Sequence, residues 1–139
     1  MELKKSVKNR RIGVILTFLS LCSMVIIFEY CKIKQKVNIF IAIEIIAFII
    51  FSASFVLTFI KTGLWGFTHK PLKKLDEREI ALTSKSLRYA YGIFTVIILI
   101  LLLSLAITNT PIDVVLVASL ILFAHILPAS IIAWTEKEI

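Results

Sequence analysis

The sequence predicts an all-α integral membrane protein: a four-helix bundle of two antiparallel hairpins, with its third helix extended into the cytoplasm. Three observations predict it. The 139-residue chain is 59% hydrophobic. Its apolar residues gather in four blocks, 12–28, 37–60, 89–107 and 112–134, of 17, 24, 19 and 23 residues. Its Lys and Arg fall almost wholly on one side of the membrane that these blocks would cross. A helix needs about 20 apolar residues to cross a bilayer core. Lipid offers backbone N–H and C=O groups no partner, so a span has to be helical or part of a closed barrel. Barrel strands would alternate in hydropathy over about 10 residues, and these blocks do not. One four-span domain, 1–139, is expected, with 61–88 as its cytoplasmic segment.

The first block follows a basic start, Lys4, Lys5, Lys8, Arg10 and Arg11. That is how a secretory signal begins, but no small-x-small cleavage site follows. "LSLC" at 19–22 resembles a lipoprotein acceptor, yet Leu21 stands where a small residue is needed and the apolar run continues to Phe28. An uncleaved helix is expected. The first loop, 29–36, carries Lys32, Lys34 and Lys36.

The N-terminal segment, the middle segment 61–88 and the tail 135–139 share one side of a four-span chain. They hold thirteen Lys and Arg; the two loops opposite hold three. The positive-inside rule makes the thirteen-residue side cytoplasmic, with both termini inside a cell membrane. Trp65, Tyr89, Tyr91 and Trp134 fall at the same inner ends, where amphipathic rings favour the headgroup level. The net charge of +7 then implies contact with anionic headgroups. It does not imply nucleic acid, because the basic residues flank spans and no nucleic-acid module is present.

The middle segment opens with "KTGLWGFTHKP" (61–71), whose two glycines and proline predict a loop along the inner surface. Asp76 with Glu79 three residues on predicts a capping box. From Glu77 to Ile107 there is no proline, so one helix of roughly 45 Å is expected. Ile80, Leu87, Tyr91 and Phe94 recur at helical spacing on it, with Thr83 and Ala90 between them; Glu77, Ala81, Ser84, Lys85 and Arg88 lie around the other side. This extension either lies on headgroups or offers Asp76, Glu77, Arg78 and Glu79 to a partner. "LDEREIALTSKSLRYAY" (75–91), running directly into an apolar block, resembles a motif of small predicted prokaryotic membrane proteins of unknown function. They share the D-E-R-E run before an inner-leaflet helix and a similar span count. The resemblance implies architecture and no activity.

Three intramembrane polar residues are candidates for a site. Glu44 lies seven residues into the second block, about 10 Å below the outer surface. An acidic group in a span is a functional hypothesis by default. Its helix face holds Ala47, Phe51, Ser54 and Thr58. It is either a neutral carboxyl bonded to Ser104 or a backbone carbonyl, a proton- or cation-coupled site, or an inter-subunit contact. Small multidrug exporters have a similar span count but carry their acidic residue in the first span, where this chain has none before Glu29. His125 shares a stripe with Ala118, Leu122 and Ala129 in the fourth block, near Pro128, and is expected to be packed and neutral. A two-histidine haem or metal site would require the loop bearing His69 to fold back onto that block. Cys22 and Cys31 are about 13 Å apart along one helix, beyond disulfide reach. Thr110, Pro111 and Asp113 signal the start of the fourth helix.

No C-x-x-C, phosphate-binding glycine loop, H-E-x-x-H or paired-carboxylate pattern occurs. The expectation is therefore a protein that is not an enzyme and needs no cofactor or metal. It would act through contacts as an accessory, regulatory or immunity-type component, with a membrane-protein partner or as a homo-oligomer. The alternative is a small proton- or cation-coupled transporter or channel-like oligomer using Glu44.

Overall fold

The computed structural model describes residues 2–34 and 38–136. The described residues form helices joined by short turns and contain no strand. In chain order they form α1 (Glu2–Lys34), α2 (Asn38–Phe55) continued by a π-helical turn (Val56–Ile60), the short α3 (Leu64–His69), a 3₁₀ turn (Leu72–Lys74), α4 (Glu77–Ile107) and α5 (Val114–Thr135). Four stretches are long and apolar enough to cross a membrane: Val7–Lys32, Phe40–Ile60, Glu77–Ile107 and Val114–Thr135. The described residues fall into two compact units. One runs to Leu64 and includes Glu136; the other is Trp65–Thr135.

In the first unit α1 is longer than its apolar block. It starts within the basic segment and runs on to Lys34, with Glu29 and Lys32 paired at 4.0 Å one turn apart. Nothing in either flank breaks a helix, so backbone hydrogen bonding continues where the apolar run stops. Most of the predicted first loop is thereby helical. Gln35, Lys36 and Val37 lie outside the described residues, as do Lys137, Glu138 and Ile139 of the tail.

The pairing of α1 with α2 rests on small and hydroxyl residues. Thr17 is fully buried, and its Oγ1 donates to Ser54 Oγ at 3.0 Å. A Cβ on Gly13 would overlap Thr58 Oγ1 and stand 3.1 Å from Thr58 Cβ. Farther along, Tyr30 meets Phe40 at 5.2 Å between ring centroids. The partner positions on α2 descend in number as those on α1 climb. Such close approach is what small residues allow between helices in lipid, where apolar side chains gain nothing by leaving it. At the lower-numbered end of α1, Arg10 is buried and its Nη2 donates to the Glu136 carbonyl at 2.9 Å.

The second block was expected as one regular span. Its last turn is instead π-helical, closed by the Lys61 N–H on the Val56 carbonyl at 2.9 Å. This turn carries Thr58 and Phe59, both buried, and Phe59 continues a ladder of rings with Phe55 and Phe51. Gly63 follows with φ +74°, a conformation that a residue with a Cβ adopts only under strain.

In the second unit the capping box forms as its spacing predicts. The Glu79 N–H donates to Asp76 Oδ1 at 2.7 Å, and the Asp76 N–H donates to Glu79 Oε2 at 3.1 Å. α4 then runs unbroken for 31 residues. Its end is a left-handed Asn109 (φ 51°), with the Thr110 N–H on the Leu105 carbonyl and the Asn109 N–H on that of Ala106. These are the two bonds of a Schellman stop. The last span begins at Val114, two residues later than expected, because Asp113 is its cap: the Leu116 N–H donates to Asp113 Oδ1 at 2.8 Å. α5 passes through Pro128, and Phe123 stacks on Phe94 of α4 at 6.2 Å.

One expectation for this unit needs correction. The predicted loop 61–71 contains a helix, α3. Trp65 and His69 stack across one turn of it at 3.8 Å, and the Thr83 hydroxyl of α4 donates to its Phe67 carbonyl at 2.9 Å. On α4 the small residues pack: Thr83 and Ala90, which stand between members of the apolar stripe, are buried with Ser86, while Ile80, Leu87 and Tyr91 of the stripe are exposed, Tyr91 at 75%, and Phe94 stacks on Phe123. The apolar stripe has lipid as its natural solvent, so the small residues turn inward instead.

Candidate functional site

Chemistry-bearing side chains gather at three places, each within one unit. In the first unit, the face of α2 that carries Glu44 is the one turned toward α1. Ala47, Ser54 and Thr58 on it are buried and Phe51 is half-buried. Glu44 itself is half-buried beside an open groove of about 390 Å³, lined by Ile27, Phe28, Cys31 and Lys32 of α1 and by Phe40 of α2. Its Oε2 is buried and has no hydrogen-bond partner among the described residues. A buried carboxyl oxygen left in this state costs free energy that a Gln, Leu or Ile would not incur to the same degree. The groove wall is otherwise apolar, and Lys32 at its rim is held by Glu29.

Ser104, expected as a partner for Glu44, belongs to the second unit. Its hydroxyl donates to the Ile100 carbonyl of its own helix at 2.8 Å. Such back-bonding to the preceding turn is the ordinary resting place for a serine in a span.

The second place is the tip of α4. Asp76 and Glu79 are taken up by the capping box, Glu79 half-buried and Asp76 exposed. Glu77 and Arg78 point outward and are exposed. The tip is braced twice, by its own cap and, two turns on, by the Thr83 bond to α3. It therefore presents an acidic and a basic side chain from a fixed backbone. Two carboxylates in the first turn also suit the positive end of the helix dipole.

The third place is the pair His69 and His125. His125 was expected to be packed in a stripe with Ala118 and Leu122, but all three are exposed and only Ala129 is buried. The loop bearing His69 does fold back: the His69 and His125 rings lie 6.4 Å apart between centroids, at 25°. Trp65 covers His69 at 3.8 Å. Among the described residues no group of three or more His, Cys, Asp or Glu gathers in one place. Cys22 and Cys31 are both free thiols.

Sequence reasoning missed the hydroxyl seam of α1. Arg10, Gly13, Thr17 and Ser20 stand three or four residues apart, the spacing of one helix face. That pattern of small and hydroxyl residues in an apolar block was the available signal. It also missed Arg10 as a structural residue, because a basic residue before a span reads first as an orientation charge.

The sequence matches no family model and no curated protein, and the fold matches no solved structure. The four long apolar helices place the chain in the class of helical membrane proteins.

Proposed function

We propose that this chain is a multi-pass cell-membrane protein whose four spans form a bundle of two antiparallel hairpins. In this reading both termini and the start of α4 are cytoplasmic. The protein works by contact, as an accessory, regulatory or immunity-type component, and catalyses no reaction. The observation that carries the reading is the braced tip of α4, where Glu77 and Arg78 stand exposed on a capped helix. A helix meant only for headgroups would be uniformly basic; this one opens with mixed charge. Lys70, Lys73 and Lys74 nearby supply the attraction to anionic lipid, worth about 1 kcal/mol each.

A photo-crosslinking amino acid placed at position 77 tests the contact. In native membranes it yields a discrete protein adduct, and Arg78→Glu lowers that yield by about tenfold through charge mismatch. Adducts with lipid alone overturn the reading. The orientation rests on the thirteen-to-three division of basic residues and has its own test. A membrane-impermeant maleimide added to intact cells labels Cys31 and misses a Lys74→Cys variant built without the native thiols. Labelling of both from outside overturns the topology.

A second reading has one observation in its favour, the Glu44 oxygen buried without a partner beside an open groove. In that reading several copies assemble and Glu44 carries a proton or cation across. Its test is ion flux in liposomes.

A further inference from the structure

We propose that the groove between α1 and α2 is a binding site for a hydrophobic amine, a molecule with an apolar body and one protonated nitrogen that still carries N–H bonds, and that Glu44 receives this nitrogen. The inference shares Glu44 with the transporter reading but does not rest on it. A single chain binds the amine, with no assembly and no transport.

The shape of the site comes from two helix faces. Ile27 and Phe28 stand one turn from Cys31 and Lys32 on α1, and Phe40 stands one turn from Glu44 on α2. Gly13 brings the two helices close at Thr58; here they meet instead through the rings of Tyr30 and Phe40, 5.2 Å apart. The space beside these rings is about 390 Å³, within the range of about 300–1,000 Å³ usual for small-molecule sites. Such sites are mostly apolar, with a few polar groups that fix orientation. This groove has one carboxyl in a wall that is otherwise apolar up to its rim.

Charge selects the ligand. Lys32 at the rim lies 4.0 Å from Glu29, which offsets its charge. Glu44 Oε2 is buried and has no hydrogen-bond partner among the described residues, so the carboxyl calls for a donor. A hard inorganic cation is poorly served here. Calcium takes six to eight oxygen ligands and magnesium an octahedral set, and no group of three or more His, Cys, Asp or Glu gathers among the described residues. An ammonium needs only one carboxylate, and its N–H bonds to that group are of the strong, charge-assisted kind. Their mutual attraction also offsets the cost that either charge would bear alone in apolar surroundings. Phe28 and Phe40 add aromatic faces, which attract a cation within about 6 Å of the ring centre. Tyr30 packed on Phe40 holds that ring in place. An apolar body on the ligand suits the remaining wall, Ile27 and Ile41.

The test is equilibrium dialysis of the full-length protein in detergent micelles against tritiated phenylbutylamine. Protein-free micelles subtract partition into the detergent. One amine per chain is expected. Affinity should fall more than about tenfold in Glu44→Gln, the effect of losing one hydrogen bond to a charged group. Phenylbutanol, which lacks the charge, and phenylbutyltrimethylammonium, which lacks the N–H, should each compete at least about tenfold less well than the amine. Glu44→Gln keeps the size and shape of the side chain, so its helix content should equal that of the parent. A second measurement is made on the parent itself, with carbon-13 in the glutamate carboxyls. The one resonance that Glu44→Gln lacks should move when the amine is added and stay when the alcohol is added. No saturable binding in the parent, undiminished affinity in Glu44→Gln, equal competition by either analogue, or an unmoved Glu44 resonance would each overturn the proposal. Ion flux in liposomes tests the transporter reading separately. Flux through Glu44 without amine binding keeps that reading and overturns this one; amine binding without flux does the reverse.

Discussion

Gly13→Leu separates α1 from α2. Even one carbon added to this glycine meets all three heavy atoms of the Thr58 side chain beyond Cα. Rotation of the Thr58 side chain moves its oxygen but not its Cβ, which stands 3.1 Å from the same point. A leucine forces the backbones apart, and the Thr17–Ser54 hydrogen bond one turn away is lost with them. Overpacking of this kind costs about 1–3 kcal/mol. An interhelical hydrogen bond in lipid adds about 0.6 kcal/mol, up to about 1.7. The expected loss is therefore about 2–4 kcal/mol, read as an earlier transition when micelles are titrated with a denaturing detergent. Gly13→Ala should lose less, and adding Thr58→Ala to it should restore more than half, because the overlapping oxygen is then gone. An unchanged transition in Gly13→Leu would mean that the helices do not meet at this residue.

Glu44→Leu should act in the opposite sense. The buried Oε2 makes no hydrogen bond among the described residues, and removing an unsatisfied buried polar atom recovers about 1–3 kcal/mol. The groove wall of Ile27, Phe28 and Phe40 is the kind of surface a leucine suits. The variant should unfold later than the parent in the same detergent titration. A less stable variant would mean that the carboxyl is paired after all, across an interface between copies, and its loss of assembly would show in native gels. Glu44→Gln separates the two functional readings. If the chain works by contact, Gln leaves crosslinking at position 77 intact and no ion flux is lost. A pH-driven flux in liposomes that disappears in Glu44→Gln would promote the transporter reading over the one preferred here.

Much of the fold was legible because its determinants are local. The Asp76–Glu79 box is a four-residue pattern, and the absence of proline from 77 to 107 licenses one long helix. Glu44 was legible as a site candidate for the same reason: a carboxyl in an apolar block stands out without any knowledge of its neighbours. What was illegible depends on distant partners. "LWGFTH" carries two residue types that oppose helix, Gly and Thr, and becomes α3 with a hydroxyl of α4 bonded to its backbone. The π turn is spelled "VLTFI", which reads equally well as α-helix. Apolar periodicity put Thr83 and Ala90 of α4 on one side with the stripe, but could not tell that these small residues, rather than the large Ile80, Leu87 and Tyr91, would be the buried ones. The His69–His125 approach spans 56 positions of sequence and could be named only as a condition that folding would have to meet.

The π turn at 56–60 has a consequence for how this chain tolerates change over generations. Such a turn holds one residue more than the α-helix around it. Each α-helical residue advances the face by about 100°. Excising one residue from the α-helical part of α2 would therefore swing everything before it, Ala47 included, away from α1. Excising one from the π turn would leave a plain helix with Ala47 and Ser54 close to their present faces. The turn is thus a place where this span can change its length by one residue and keep the seam with α1.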